Sequence, residues 1–360
     1  MPHKITSMRH SIFFVIFLAP LLAILAASVT SRADAADPTG VVYKGESGPG
    51  AGKHIVMLAG DHEYRSEESL PALGRILAKH YGFTCTVLFT VNKESGEIEP
   101  GSSYIRGMEA LDSADLAVVF LRFQDFPDNE MKHFDTYIRQ GKPVVGLRTS
   151  THAFNMPADR TYAKYSYRFS GDDFKLGFGR QILGETWVAH YGGNHTTSAR
   201  FIMESDQASH PVLRGVKDVW VQSGAYEAHP IEGSVVLAKS QVIKGMTPDG
   251  PPVDGKELMP AAWVRNYHGD AGNEGRVFCS THGASEDILN DGFRRMVVNA
   301  CLWALGMEDS IEPDGEIGFV GPYHPVTFNF EGYRRGVKPE ELSGWDSPIM
   351  REDAPVQRKQ

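Results

Sequence analysis

Cysteine is almost missing from this chain: Cys85, Cys279 and Cys301 are the only three in 360 residues, and each sits in an apolar run. An odd number cannot pair fully within one chain, and no two have zinc-ligand spacing, so a cysteine-based zinc site is excluded. All three read as small core residues. Positive charge is also in deficit, with 36 Lys and Arg against 45 Asp and Glu and a formal net charge of −9. That balance repels phosphates at long range, so no nucleic-acid partner is expected. Past residue 27 no apolar run is long enough to cross a bilayer. Internal repeats, an interdomain linker, H-E-x-x-H and G-x-S-x-G are absent as well.

What is present begins with an export signal. Lys4, Arg9 and His10 precede an apolar run over 12–27, and Ala33-Asp34-Ala35 offers small residues for cleavage. This order predicts a signal peptide over 1–35 and a periplasmic or extracellular protein. Pro20 interrupts the run, which argues against a permanent anchor, and no stable membrane span is expected after cleavage.

From residue 54 strand and helix patterns alternate. Continuous apolar runs at 54–59, 84–90, 115–121 and 143–147 have the character of strands buried on both faces. Helical spacing over 67–80, a short helix over 104–111 and a helix from Asp128 to Gly141 fall between them. Such alternation predicts right-handed βαβ units and a doubly wound parallel sheet with helices on both faces. Further strands are expected at 199–203, 235–239, 261–265 and 276–280, and a closing helix ends at Gly306. The expected organisation is one α/β domain over 52–308 and an extension over 309–360 that packs on it and frays at its end.

In such a sheet, loops leaving the carboxyl ends of strands share a crevice. That rule selects Asp61, His62, Glu63 and Arg65, then Arg122, then Arg148, Thr149, Ser150 and His152, then His268 and His282. His190 and His195 flank Gly192-Gly193, where backbone can approach a ligand closely. Tyr226-Glu227 follows another likely strand end and adds a carboxylate.

GDHEYRSEESLP, VVFLRFQDFPDNEM, GKPVVGLRTSTHAF, WVAHYGGNHTT and the run from NYHG to GFRRMVVNACLWALGME resemble the ThuA-like (trehalose utilisation) family over about residues 52–335. The resemblance implies a flavodoxin-like, three-layer α/β/α fold related to class I glutamine amidotransferases, and a link to carbohydrate metabolism. Those amidotransferases carry a nucleophilic cysteine on a tight turn after a central strand. The matching turn here, GLRTSTHAF, has none, so amidotransferase chemistry is not expected.

Three chemistries remain open on a small carbohydrate. Metal-free acid–base chemistry on a glycoside or keto-sugar would use His62, His152, His195, His282 or Glu227. Asp61, Glu63, Arg65, Arg148, Thr149, His190, Tyr226 and His268 would bind the substrate. A divalent metal such as zinc would draw on His62, His152, His268 and His282. Nucleophilic attack by Ser150 is the least supported, since its neighbours are bulky for a strained elbow. The alternative from another class is a non-catalytic sugar-binding or accessory protein of the same fold.

Overall fold

The computed structural model describes residues 1–3, 39–330 and 332–350. The apolar run and cleavage site of the expected signal peptide, and the tail expected to fray, lie outside the described residues. The chain divides into Met1–Ala36 and Asp37–Gln360, and the fold belongs to the second unit.

Five parallel strands form the centre: β2 (His54–Gly60), β3 (Thr84–Phe89), β4 (Leu116–Leu121), β5 (Val144–Leu147) and β12 (Glu274–Ser280), in spatial order β3-β2-β4-β5-β12. Their central residues are apolar on both faces because both are covered. Ile55 and Met57 face one layer while Val56 and Leu58 face the other, all fully buried. Burying such a side chain contributes about 1.5–3 kcal/mol. Helices α1 (Ser66–Tyr81) and α3 (Asp291–Ala304) cover the first face, and α2 (Asp128–Arg139) the second.

Local chemistry ends these elements where the sequence marks it. Glu67 and Glu68 sit in the first turn of α1, at the positive end of its dipole. Gly82 closes the helix at φ 83°, donating its N–H to the Ala78 carbonyl. The Asn290 side chain accepts from the Phe293 N–H at 2.9 Å and starts α3. The short helix expected over 104–111 is instead a 3-10 turn at Met108–Ser113.

Antiparallel strands extend the sheet. β1 (Gly40–Lys44) borders β3, and β11 (Met259–His268), β10 (Val235–Lys244), β7 (Thr197–Met203) and β8 (Trp220–Val221) continue outward from β12. A separate pair, β6 (Ala189–His190) with β9 (Tyr226–Glu227), carries loop residues over the sheet. Because β11 runs against β12, its carboxyl end lies at the opposite rim from those of the central strands. None of the described helices is long and apolar enough to cross a membrane.

Candidate functional site

Asp61 follows the last residue of β2 and builds the turn there. One carboxylate oxygen accepts from the backbone N–H groups of Glu63 and Tyr64, and the other from the Thr149 hydroxyl. Asp61 and Thr149, both expected to bind substrate, are buried against each other and shape the loop instead. Their pairing ties the turn after β2 to the turn after β5.

That turn delivers Glu63, which is only 1% exposed. Asn194 donates to it at 2.8 Å, Arg122 stands 3.6 Å away, and His195 Nε2 lies at 3.4 Å. Burial alone would raise its pKa. The bond with His195, the Arg122 charge and the Asn194 amide overcome that and hold it at about 2. His195 keeps 39% of its side chain exposed, stacks on Phe328 with centroids 4.9 Å apart, and has φ 61°, unusual for a non-glycine residue.

Arg148 is the buried cation of the site. Its guanidinium lies between the Tyr64 and Tyr226 rings, 4.2 and 3.8 Å from their centroids. It donates to the carbonyls of Gly224 and Thr281 and, at 2.8 Å, to the Tyr64 hydroxyl. Tyr64 donates onward to Asn194 at 3.3 Å, so a continuous chain runs from Arg148 to Glu63. Tyr226 also meets the His190 ring at 5.3 Å and the His152 ring at 6.0 Å, with Trp187 5.2 Å from His152. Burial, then the Arg148 charge, lowers the His190 pKa to about 4. Burial, with Arg122 and Arg148, puts His152 well below its ordinary value. Both imidazoles are neutral near pH 7.

His62 sits on the other side of Arg122, which donates to its Nε2 at 2.7 Å. A guanidinium keeps its protons, so Nε2 accepts and the ring proton is on Nδ1. Burial, against Asp61 and with Arg122, lowers the His62 pKa. Beyond it opens a cavity of about 290 Å3 lined by His62, Glu99, Gly101, Tyr333 and Arg335.

The other candidates lie elsewhere. His282 is at the end of β12 but points into the core, with Ser223 on Nδ1 and Ser240 at 2.7 Å on Nε2. His268 is exposed at the opposite rim, paired across the ladder with Glu274. Strand alternation turns Glu227 away from Tyr226, and its partner is His229 at 3.6 Å. Arg65 is fully buried, donating to the Asn329 carbonyl at 3.2 Å and 3.4 Å from Glu67. The Ser150 hydroxyl is buried against the carbonyls of Val119 and Leu147. Among the described residues no three His, Cys, Asp or Glu are arranged to hold a metal ion. The four candidate ligands are scattered: His62 is engaged by Arg122, His152 is buried among the Phe123, Trp187 and Tyr226 rings, His282 is engaged by serines, and His268 is at the far rim. These residues do not fit a resident metal.

Several side chains at the site were not among the expected ones. Tyr64, Asn194, Phe328 and Phe330 are four, and for Arg122 the sequence marks only a strand end. Asn194 had a signal, lying between the Gly pair and His195. Phe328 and Phe330 had only the aromatic character of TFNF, far along the chain from β2.

A family model described as trehalose utilisation, ThuA, matches residues 54–304. No curated protein matches the chain. A ThuA-like protein from Parabacteroides merdae is 13% identical with a TM-score of 0.43, the match covering 77% of this chain and 95% of that one. A second, from Bacteroides uniformis, is 13% identical with a TM-score of 0.43, covering 74% and 96%.

Proposed function

This chain belongs to the ThuA family, and from that premise we propose that it is an enzyme acting on a glycoside or keto-sugar by acid–base chemistry. The base in this reading is His195, oriented by Glu63. The observation that supports it is that pair: a partly exposed imidazole held at 3.4 Å by a buried, ionised carboxylate. A carboxylate on Nε2–H selects the tautomer in which Nδ1 takes a proton, and stabilises the imidazolium that forms. On a keto-sugar the proton leaves the carbon beside the carbonyl and its electron pair moves onto the carbonyl oxygen. Arg122, 13% exposed beside Glu63, supplies positive charge against that oxyanion. Trp187, half-buried, offers aromatic surface for a sugar face, and half-buried neutral His190 offers a hydrogen bond to a hydroxyl. The charged-then-apolar N-terminus supports action after export.

Turnover decides this reading. Purified protein is incubated with disaccharides and their 3-keto forms, once with a chelator and once with added zinc, and released monosaccharide is followed. Cleavage or rearrangement of at least one keto-glycoside is expected. His195→Ala and Glu63→Gln should each lower kcat by about 10²–10⁴ without loss of folded protein. If the parent leaves the whole panel unchanged under both conditions, the enzyme reading fails. Sugar binding without turnover would leave a sugar-binding protein of the same fold.

A further inference from the structure

The cavity beside His62 is not part of the acid–base centre, yet it shares a wall with it. His62 lines the cavity on one side, and on the other accepts a hydrogen bond from Arg122, which in turn faces Glu63. Phe330 lies against both of these residues, 5.7 Å from the His62 ring and 4.6 Å from the Arg122 guanidinium. A substrate held at Glu63 therefore has a second compartment one side chain away.

Size and charge narrow what that compartment takes. Its volume of about 290 Å3 is at the low end of the roughly 300–1,000 Å3 of small-molecule pockets, room for one ring and not for a polymer. Glu99 and Arg335 contribute one charge of each sign, so the lining has no net preference for an ion. Carboxylate, guanidinium and imidazole together give both acceptors and donors for hydroxyls, and Tyr333 adds an aromatic ring. That is the lining a neutral polyol ring needs.

Two of the five lining residues, Tyr333 and Arg335, lie beyond residue 304, where the match to the family ends. The segment that carries them is fastened to the domain. The Val326 N–H donates to Glu68 at 2.7 Å, Arg65 donates to the Asn329 carbonyl, and the Tyr323 hydroxyl donates to the Ser285 carbonyl at 2.6 Å. It is a wall, built from chain beyond the residues that the family model matches.

We propose that this cavity is the subsite for the second, neutral ring of a two-ring glycoside, and that the C-terminal segment sets which second ring fits. The proposal rests on the sugar-acting reading above and deepens it.

Gly101 provides the test. A Cβ added there meets only His62, at 3.5 and 3.7 Å, and the backbone needs no positive φ. Gly101→Leu therefore keeps the fold while filling the cavity. Calorimetric titration with trehalose, maltose and glucose is run on the full chain and on Gly101→Leu, with melting temperatures as the check on folding. The parent should bind at least one disaccharide about tenfold more tightly than glucose. Gly101→Leu should lose that advantage, about tenfold, and keep its glucose affinity within about twofold. Glu99→Gln, a milder change, should weaken the disaccharide alone. Undiminished disaccharide binding in Gly101→Leu, or equal weakening of both sugar classes, overturns the subsite while leaving the sugar-acting reading standing. A parent that binds none of the three sugars overturns the subsite and leaves the sugar-acting reading to the turnover panel.

Discussion

Glu63 and Glu67 are four residues apart, equally buried, and on opposite sides of the ordinary carboxyl range. Glu63 has His195, Arg122 and Asn194 and is held at about 2. Glu67 has burial against it and little beyond Arg65 at 3.4 Å, and burial raises it to about 7. Glu68 beside it is raised as well, by burial and by Glu67. The two shifts act on stability with opposite signs. The folded pKa of Glu63 is below its unfolded value, so its contribution is present above about pH 4.3 and is lost as pH falls toward 2. Glu67 is the reverse: its contribution is full below about pH 4.3 and is lost as pH rises through 7. Melting temperature should therefore decline between about pH 4.3 and 7 and level off above that. Glu67→Gln, which keeps the neutral shape, should flatten that decline by about 1–3 kcal/mol in stability. An unchanged slope in the variant would show that Glu67 is not the titrating group.

At the scale of elements, what could be read in advance depended on how each one is buried. Strands covered on both faces write themselves as unbroken apolar runs, which is why 54–59 and 115–121 match β2 and β4 within a residue or so. The same runs carry no sign of direction. β11 reads like its neighbours yet runs against them, and so His268, selected as a strand-end residue, lies at the wrong rim. The two-residue strands β6 and β9 have no period at all, though they bring His190 and Tyr226 together. His282 is at the correct end of β12, but the turn points its ring inward, which spacing alone does not reveal. The two histidines should therefore fail differently on mutation. His268→Ala, an exposed change, should leave turnover within about twofold and stability within about 0.5 kcal/mol. His282→Ala strands the Ser240 hydroxyl in the core, while Ser223 keeps its bond to Asp287, and should cost about 1–3 kcal/mol. Thermal melts of both proteins check this, and a silent His282→Ala would contradict the buried placement.

In the unit from Asp37 onward the described part of the C-terminal extension packs over the α/β domain, and one buried residue on α1 fastens much of it. Arg75 donates to the carbonyls of Ser347, Leu342 and Val320 and to the Ser347 hydroxyl, with its guanidinium 5.2 Å from the Tyr43 ring. Tyr43 itself donates to the Leu342 carbonyl at 2.8 Å. Phe328, Val337, Leu342 and Ile349 are buried from the same stretch, so the extension is part of the core as well as the wall of the site. Arg75 hydrogen-bonds to none of Glu63, Arg122, His190 or His195, which makes it a handle on the wall alone. Lysine keeps the charge but not the planar fork, and one ammonium cannot serve four acceptors spread over two sides. Arg75→Lys should lose about 2–4 kcal/mol, concentrated where those bonds were. Hydrogen exchange followed by mass spectrometry should then show faster exchange in peptides from 319–350 and unchanged protection in β2, β4 and β5. Because Phe328 supports His195 and Tyr333 lines the cavity, sugar affinity should fall in step with that exchange although no contact of the acid–base centre has been altered. Uniform loss of protection across the sheet would mean that the extension does not open as a separate unit. Faster exchange without weaker binding would mean that it is not the wall of the site.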